Sequence, residues 1–99
     1  MLNELRIYRL HPGKLAAMQE RFKRVNRALF ERHGIEVVQA WRNPDDENVF
    51  VFLLTFPDRD ARERAWKAYH EDPDFLAQQD EQKAIIAEIT LHVLDPLDV

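Results

Sequence analysis

The sequence predicts an α+β fold: a ferredoxin-like βαββαβ sandwich, with a four-stranded antiparallel sheet under two main helices. Three observations predict it. Hydrophobic spacing switches between a two-residue and a 3.6-residue period in the order strand, helix, strand, strand, helix, strand. Pro, Gly or Asp turn chemistry separates the segments. Right-handed crossovers then join two half-βαβ units through a central hairpin. The 99 residues form one domain, 1–99, with no linker, repeat or low-complexity stretch.

Asn3 to His11 interleaves Leu5, Ile7 and Arg9 with Arg6, Tyr8 and Leu10, a strand with something to bury on both sides. His11-Pro12-Gly13 ends it. From Lys14 to His33, apolar residues at Leu15, Met18, Phe22, Val25 and Leu29 make one stripe of a long helix. His33-Gly34 closes that helix, with Gly in the left-handed position past its end. Ile35 to Arg42 reads as a strand and Asn43-Pro44-Asp45-Asp46 as a turn. Val49 to Phe56 is the strongest strand, apolar everywhere except Thr55. Asp58 or Asp60 caps the next helix, where Ala61, Ala65, Ala68 and Tyr69 fall at helical spacing beside Trp66. Asp72-Pro73 starts a second short helix, Asp74 to about Lys83. Ala84 to Leu94 supplies the last strand, which Asp95-Pro96 terminates.

Composition excludes several classes. Hydrophobic residues at 45% and charged ones at 32% describe a globular chain, not a disordered one. Asp and Glu outnumber Lys and Arg by 18 to 14, too acidic for a general nucleic-acid binder. No apolar run reaches membrane-spanning length and Met1-Leu2-Asn3-Glu4 lacks signal-peptide character, so a cytoplasmic protein without membrane contact is expected. Without cysteine there is no disulfide, thiolate nucleophile or Cys-ligated metal. With only Gly13 and Gly34, no phosphate-cradling glycine loop exists.

The strongest strand does not alternate. Val49, Val51 and Leu53 point one way while Phe50, Phe52, Leu54 and Phe56 point the other. Two helices cover only one sheet face, so the second apolar face needs a cover. A four-stranded face projects about 440 Å², near the largest apolar patch that monomers tolerate. The simplest cover is a second copy, which predicts a homodimer joined through its sheet faces.

Candidate site residues follow from the same patterns. Arg6 and Tyr8 share a face of the first strand with Glu4 and Leu10. The commoner arrangement is a structural Glu4–Arg6 ion pair with a snorkelling tyrosine. The functional one is a cavity between sheet and helices where Arg6 holds an anionic group and Tyr8 donates a proton. Trp41, Phe52, Trp66, Tyr69 and Phe75 supply aromatic walls, although such residues more often anchor a core. His11, His33, His70 and His92 lack the spacing of a metal pair, and no metal site is predicted. His11 and His92 meet only if they lie at the same end of neighbouring strands. His70, beside Glu71-Asp72, is the best single acid–base candidate, or a haem ligand; no cofactor is otherwise predicted. The first helix carries Lys14, Arg21, Lys23, Arg24, Arg27 and Arg32 against Glu20 and Glu31, which reads as a solvated basic face.

Several stretches together resemble the NIPSNAP family. They are Glu4-Leu5-Arg6-Ile7-Tyr8-Arg9-Leu10 running into Pro12-Gly13-Lys14-Leu15, then His33-Gly34-Ile35, Trp41 and Asn48-Val49. Arg62, Ala65-Trp66 and Asp72-Pro73-Asp74-Phe75 complete the set, with Phe75 standing where Trp is common. The resemblance implies a dimeric α+β barrel and no established reaction. Similar barrels include cofactor-free monooxygenases, isomerases and haem-handling proteins, a fold-level analogy only. Two functions are expected to compete. One binds a small, mostly apolar, oxygenated molecule in a sheet–helix cavity, with oxygenase or isomerase chemistry. There Arg6 orients, Tyr8 or His70 moves the proton, and Trp41 and Phe52 wall the site. The other is a non-catalytic homodimeric interaction or ligand-binding module.

Overall fold

Four strands, β1 (Leu2–Leu10), β2 (Glu36–Asn43), β3 (Asp46–Phe56) and β4 (Ile86–Leu94), form one antiparallel sheet in the order β2-β3-β1-β4. This is the ferredoxin-like order, seen in a computed structural model that describes residues 1–99. β3 takes a central place because it is apolar on both faces. Register assigns the faces. Leu2, Glu4, Arg6, Tyr8 and Leu10 share a row with Phe50, Phe52, Leu54 and Phe56, and all are buried under the helices. Leu5, Ile7, Val51 and Leu53 line the opposite face.

The helix layer begins with α1 (Leu15–Arg21), a π-helical turn at Phe22–Asn26 and α2 (Arg27–Arg32), which run on as one rod. The predicted stripe is buried at Met18, Phe22, Val25 and Leu29. The π turn is a departure from the periodic reading: the Arg27 N–H reaches back to the Phe22 carbonyl, five residues away. It widens the inward face, so Arg21 and Asn26 join the stripe. Arg21, counted above with a solvated basic face, is only 1% exposed. At the other end Gly34 adopts φ +70°, the Gly34 N–H donates to Glu31, and the Ile35 N–H donates to Phe30. That is a Schellman closure, and it turns the chain into β2.

Asp58, rather than Asp60, caps α3 (Arg59–Glu71), accepting from the Ala61 N–H at 2.8 Å. Asp72 caps the next helix by accepting from the Asp74 N–H at 2.8 Å, with Pro73 in the first turn. The single helix expected here is two: α4 (Pro73–Ala77) and α5 (Gln79–Ile85), broken at Gln78. Asp80 and Glu81 in the first turn of α5 and Lys83 in its last suit the helix dipole. Helix therefore persists to Ile85, and the last strand starts two residues later than expected.

Phe22, Phe30, Phe50 and Phe52 interlock at the centre of the core, with ring centroids 5.2–6.1 Å apart. The molecule measures 38 × 37 × 19 Å. Its short dimension holds one sheet and one helix layer at about 10 Å each. Nothing within the chain covers the second sheet face.

Candidate functional site

The helix-facing row of β1 carries charge into the core. Glu4 is fully buried and accepts from three donors: Arg6 Nε at 2.6 Å, Arg62 Nε at 2.6 Å and Trp66 Nε1 at 2.9 Å. Burial alone raises the pKa of this carboxyl. The Arg6 charge and the hydrogen bonds from Arg6, Trp66 and Arg62 outweigh it, holding the group below the ordinary carboxylate range. Arg6 is clamped from two sides, by Glu4 and by the Trp66 ring lying 4.1 Å from its guanidinium carbon. Its Nε is used by Glu4, and the Tyr8 hydroxyl lies within reach of the same guanidinium.

Tyr8, next along the row, packs edge-on against Phe52 at 5.0 Å. Burial raises its pKa against the fields of Arg6 and Arg21, so it stays a neutral donor at physiological pH. Tyr69 is pushed up to about 12 by burial and by the neighbouring Tyr8, opposed by Arg21 and Arg6. The two phenols thus lie in the field of two buried cations. Arg21 donates to Asn26 across the π turn at 3.0 Å, yet its buried Nε has no hydrogen-bond partner. Glu81 stands 3.1 Å from that Nε, out of line for a hydrogen bond. Sequence reasoning missed Arg21, Asn26 and Glu81. Their one signal is the five-residue Arg21–Asn26 interval, which only a π turn brings into line.

His70 stacks on Trp66 at 5.7 Å and meets Phe75 at 5.3 Å. Burial and then the Arg6 charge lower its pKa, so it is neutral at pH 7. Phe75 packs on Tyr69 at 4.7 Å. Arg6, Tyr8, Phe52 and Trp66 therefore lie in the layer between sheet and helices, with half-buried Phe75 at its margin and His70 on the exposed side of Trp66. Trp41 does not join them. It pairs with Val51, so it lies on the face opposite Phe52 and the two cannot wall one site. His11 and His92 are also apart: His92 pairs with Leu5, whereas His11 lies beyond the far end of β1 against the Lys83 carbonyl. No group of three or more His, Asp or Glu side chains is gathered to hold a metal ion.

The principal surface clefts do not reach Arg6 or Tyr8. The cover over the cluster is thinnest along β4. Leu91 and Ile89 are the strand neighbours of Arg6 and Tyr8 on the same face, yet they are 41% and 40% exposed. The helices leave this strand uncovered, and Arg6 itself retains a slight exposure beside it.

Comparison with known proteins gives this geometry a context. A family model described as NIPSNAP matches residues 3–99. The chain belongs to the NIPSNAP family. Among solved structures it is similar to a NIPSNAP domain protein from Burkholderia xenovorans, at 19% identity and TM-score 0.89 over 98% of this chain and 95% of that one. It is equally similar to a NIPSNAP family protein of unknown function from Agrobacterium tumefaciens, at 22% identity, TM-score 0.88, and coverage of 97% and 87%. SnoaB, a cofactor-independent oxygenase from Streptomyces nogalater, shares the fold at 22% identity and TM-score 0.73, covering 99% of this chain and 94% of that one. Among curated proteins none matches. The NIPSNAP-like motifs meet in space: Glu4 and Arg6 with Arg62 and Trp66, His33 with Asp72, and Gly13 with Asn48. No helix is long and apolar enough to cross a membrane.

Proposed function

We propose that this NIPSNAP protein binds a small, mostly apolar molecule carrying a carbonyl or phenolic oxygen at the Arg6–Tyr8 cluster, as a homodimer joined through its open sheet faces. The observation that carries the reading is Arg6, a cation sunk in the core beside Tyr8 and covered on the β4 side only by half-exposed Ile89 and Leu91. A charge so placed costs stability unless it is paired, and a paired Arg–Tyr donor set in low dielectric is worth most to an incoming oxygen. Tyr8 donates to that oxygen. Neutral His70 takes a proton from the ligand, and the anion left behind is held by Arg6 and Tyr8. This is the electrostatic part of oxygenase or isomerase chemistry, and it needs no cofactor. The oxygenase fold shared with SnoaB supports the reading without fixing the reaction.

Thermal denaturation with a panel of hydroxylated aromatics and cyclic ketones tests it. A true ligand at roughly 100 times its Kd raises Tm by about 10 °C. Tyr8→Phe keeps the ring and the fold but abolishes the shift. A silent panel, or a shift that survives Tyr8→Phe, overturns the reading. One observation favours a second reading, a non-catalytic homodimeric module: Arg6 is already held by Glu4 and Trp66, as a purely structural ion pair is. In that case Arg6→Ala lowers Tm strongly, and no ligand response exists to lose.

A further inference from the structure

A separate cleft of about 240 Å³ opens on the other flank of the molecule, between the helix rod and the edge strand β2. Its floor is apolar, made by Leu15, Phe22, Ala40 and Phe50, and Trp41 at the sheet edge and neutral Gln19 border it. Its rim is cationic, made by Lys23, Arg27 and Arg42, and no carboxylate lines it. The pairing pattern of the rod sharpens the contrast. Arg24 is held by Glu20 and Glu81, Arg21 lies against Glu81, and Arg32 is held by Asp72 and Asp74. Lys23, Arg27 and Arg42 have no such carboxylate, in a chain whose net charge is −4. Three unpaired cations around one apolar hollow, in an acidic protein, are electrostatic complementarity without its partner.

The π turn builds the hollow. Its five-residue hydrogen bond from Arg27 to the Phe22 carbonyl brings the Arg27 guanidinium over the Phe22 ring, 5.6 Å from its centre. An uninterrupted α-helix places residues five apart on different sides. The irregular turn therefore sets a planar cation directly above the aromatic floor, the geometry that grips a flat apolar body with an anionic end.

We propose that this cleft is a binding site for a small amphipathic carboxylate, with its apolar body on Phe22 and Phe50 and its carboxylate between Arg27, Arg42 and Lys23. The volume lies just below the roughly 300–1,000 Å³ of drug-sized sites, which suits a compact ring or short chain. The planar carboxylate matches the two arginine forks. The cleft opens on the β2 side of Phe50, whereas Tyr8 lies on its β1 side.

Calorimetric titration with naphthalene-2-carboxylate, beside its neutral amide, tests the proposal on the full chain. The carboxylate binds with a Kd below about 1 mM and the amide at least tenfold more weakly, and the difference shrinks as salt rises. Because the three cations are exposed, their glutamine variants fold. Arg27→Gln and Arg42→Gln each weaken binding by roughly two- to fivefold, and the triple variant with Lys23→Gln nearly removes it. Amide resonances of residues 40–42 shift on titration. Equal affinity for acid and amide, indifference to the triple variant, or no binding at all each overturns the proposal.

Discussion

Glu4 sits where three hydrogen-bond donors converge, with no exposed surface of its own. Glu4→Gln removes the charge but not the volume, leaving Arg6 and Arg62 without their counter-ion. The expected cost is about 3 kcal/mol, the low end for breaking a buried pair, read from the urea midpoint. A loss under about 1 kcal/mol contradicts the burial of this pair. Acid and alkali stress different residues. Asp72 is lowered to about 2 by hydrogen bonds from His33, the Asp74 N–H and Arg32. A depressed carboxylate gives stability that is present above its unfolded pKa near 3.8 and lost as pH falls through 2. Tm therefore drops between pH 4 and pH 2, and Asp72→Asn flattens that drop. Tyr69 runs the other way. Its pKa is raised to about 12 in the fold, so its contribution is whole below pH 10 and disappears as pH rises through 12. Tyr69→Phe should blunt the alkaline transition; an unchanged profile would place Tyr69 in water.

At the scale of elements, turn chemistry was the most legible signal. Asp58, Asp72-Pro73 and His33-Gly34 each act where their side chains or backbone freedom require. A Cβ at Gly34 meets no atom within 4 Å, so Gly34→Ala is a test of backbone strain alone. Thermal melts should record a loss of about 1–2 kcal/mol, the left-handed penalty for a residue with a Cβ; no loss would mean that φ +70° is not held. The π turn was illegible for a physical reason. Apolar spacing of three and four fits an α-helix, and the turn depends instead on polar Arg21 finding Asn26 five residues on. The break at Gln78 escaped notice because Asp74 to Lys83 has adequate helix propensity throughout.

The whole molecule is a slab of 19 Å, and its accessible surface of 6307 Å² exceeds the roughly 5,900 Å² expected of a compact chain this size. The excess accompanies an open sheet face with Leu5, Ile7, Val51 and Leu53 at its centre and Trp41 at its edge, 47% exposed. A second copy packed on this face would bury an area near the standard interface size. Sedimentation at micromolar concentration should give twice the subunit mass. Val51→Lys, a charge at the middle of the face, should give single subunits with the helix-side core intact. A wild-type protein that sediments as one subunit refutes the pairing.

The order of elements, the two faces of β1 and β3 and the helix caps were determined by the sequence itself, because each depends on spacing and on residues adjacent in the chain. Glu4 and Arg6 were legible together for the same reason, being two residues apart on one strand face. Tertiary structure alone decided that Arg62 and Trp66 complete their cluster, that Arg21 turns inward, and that Trp41 and Phe52 lie on opposite faces. It also gathered Lys23, Arg27 and Arg42 around one hollow. Those outcomes depend on strand register and on a helix that changes pitch midway, and register is settled only when distant segments pack.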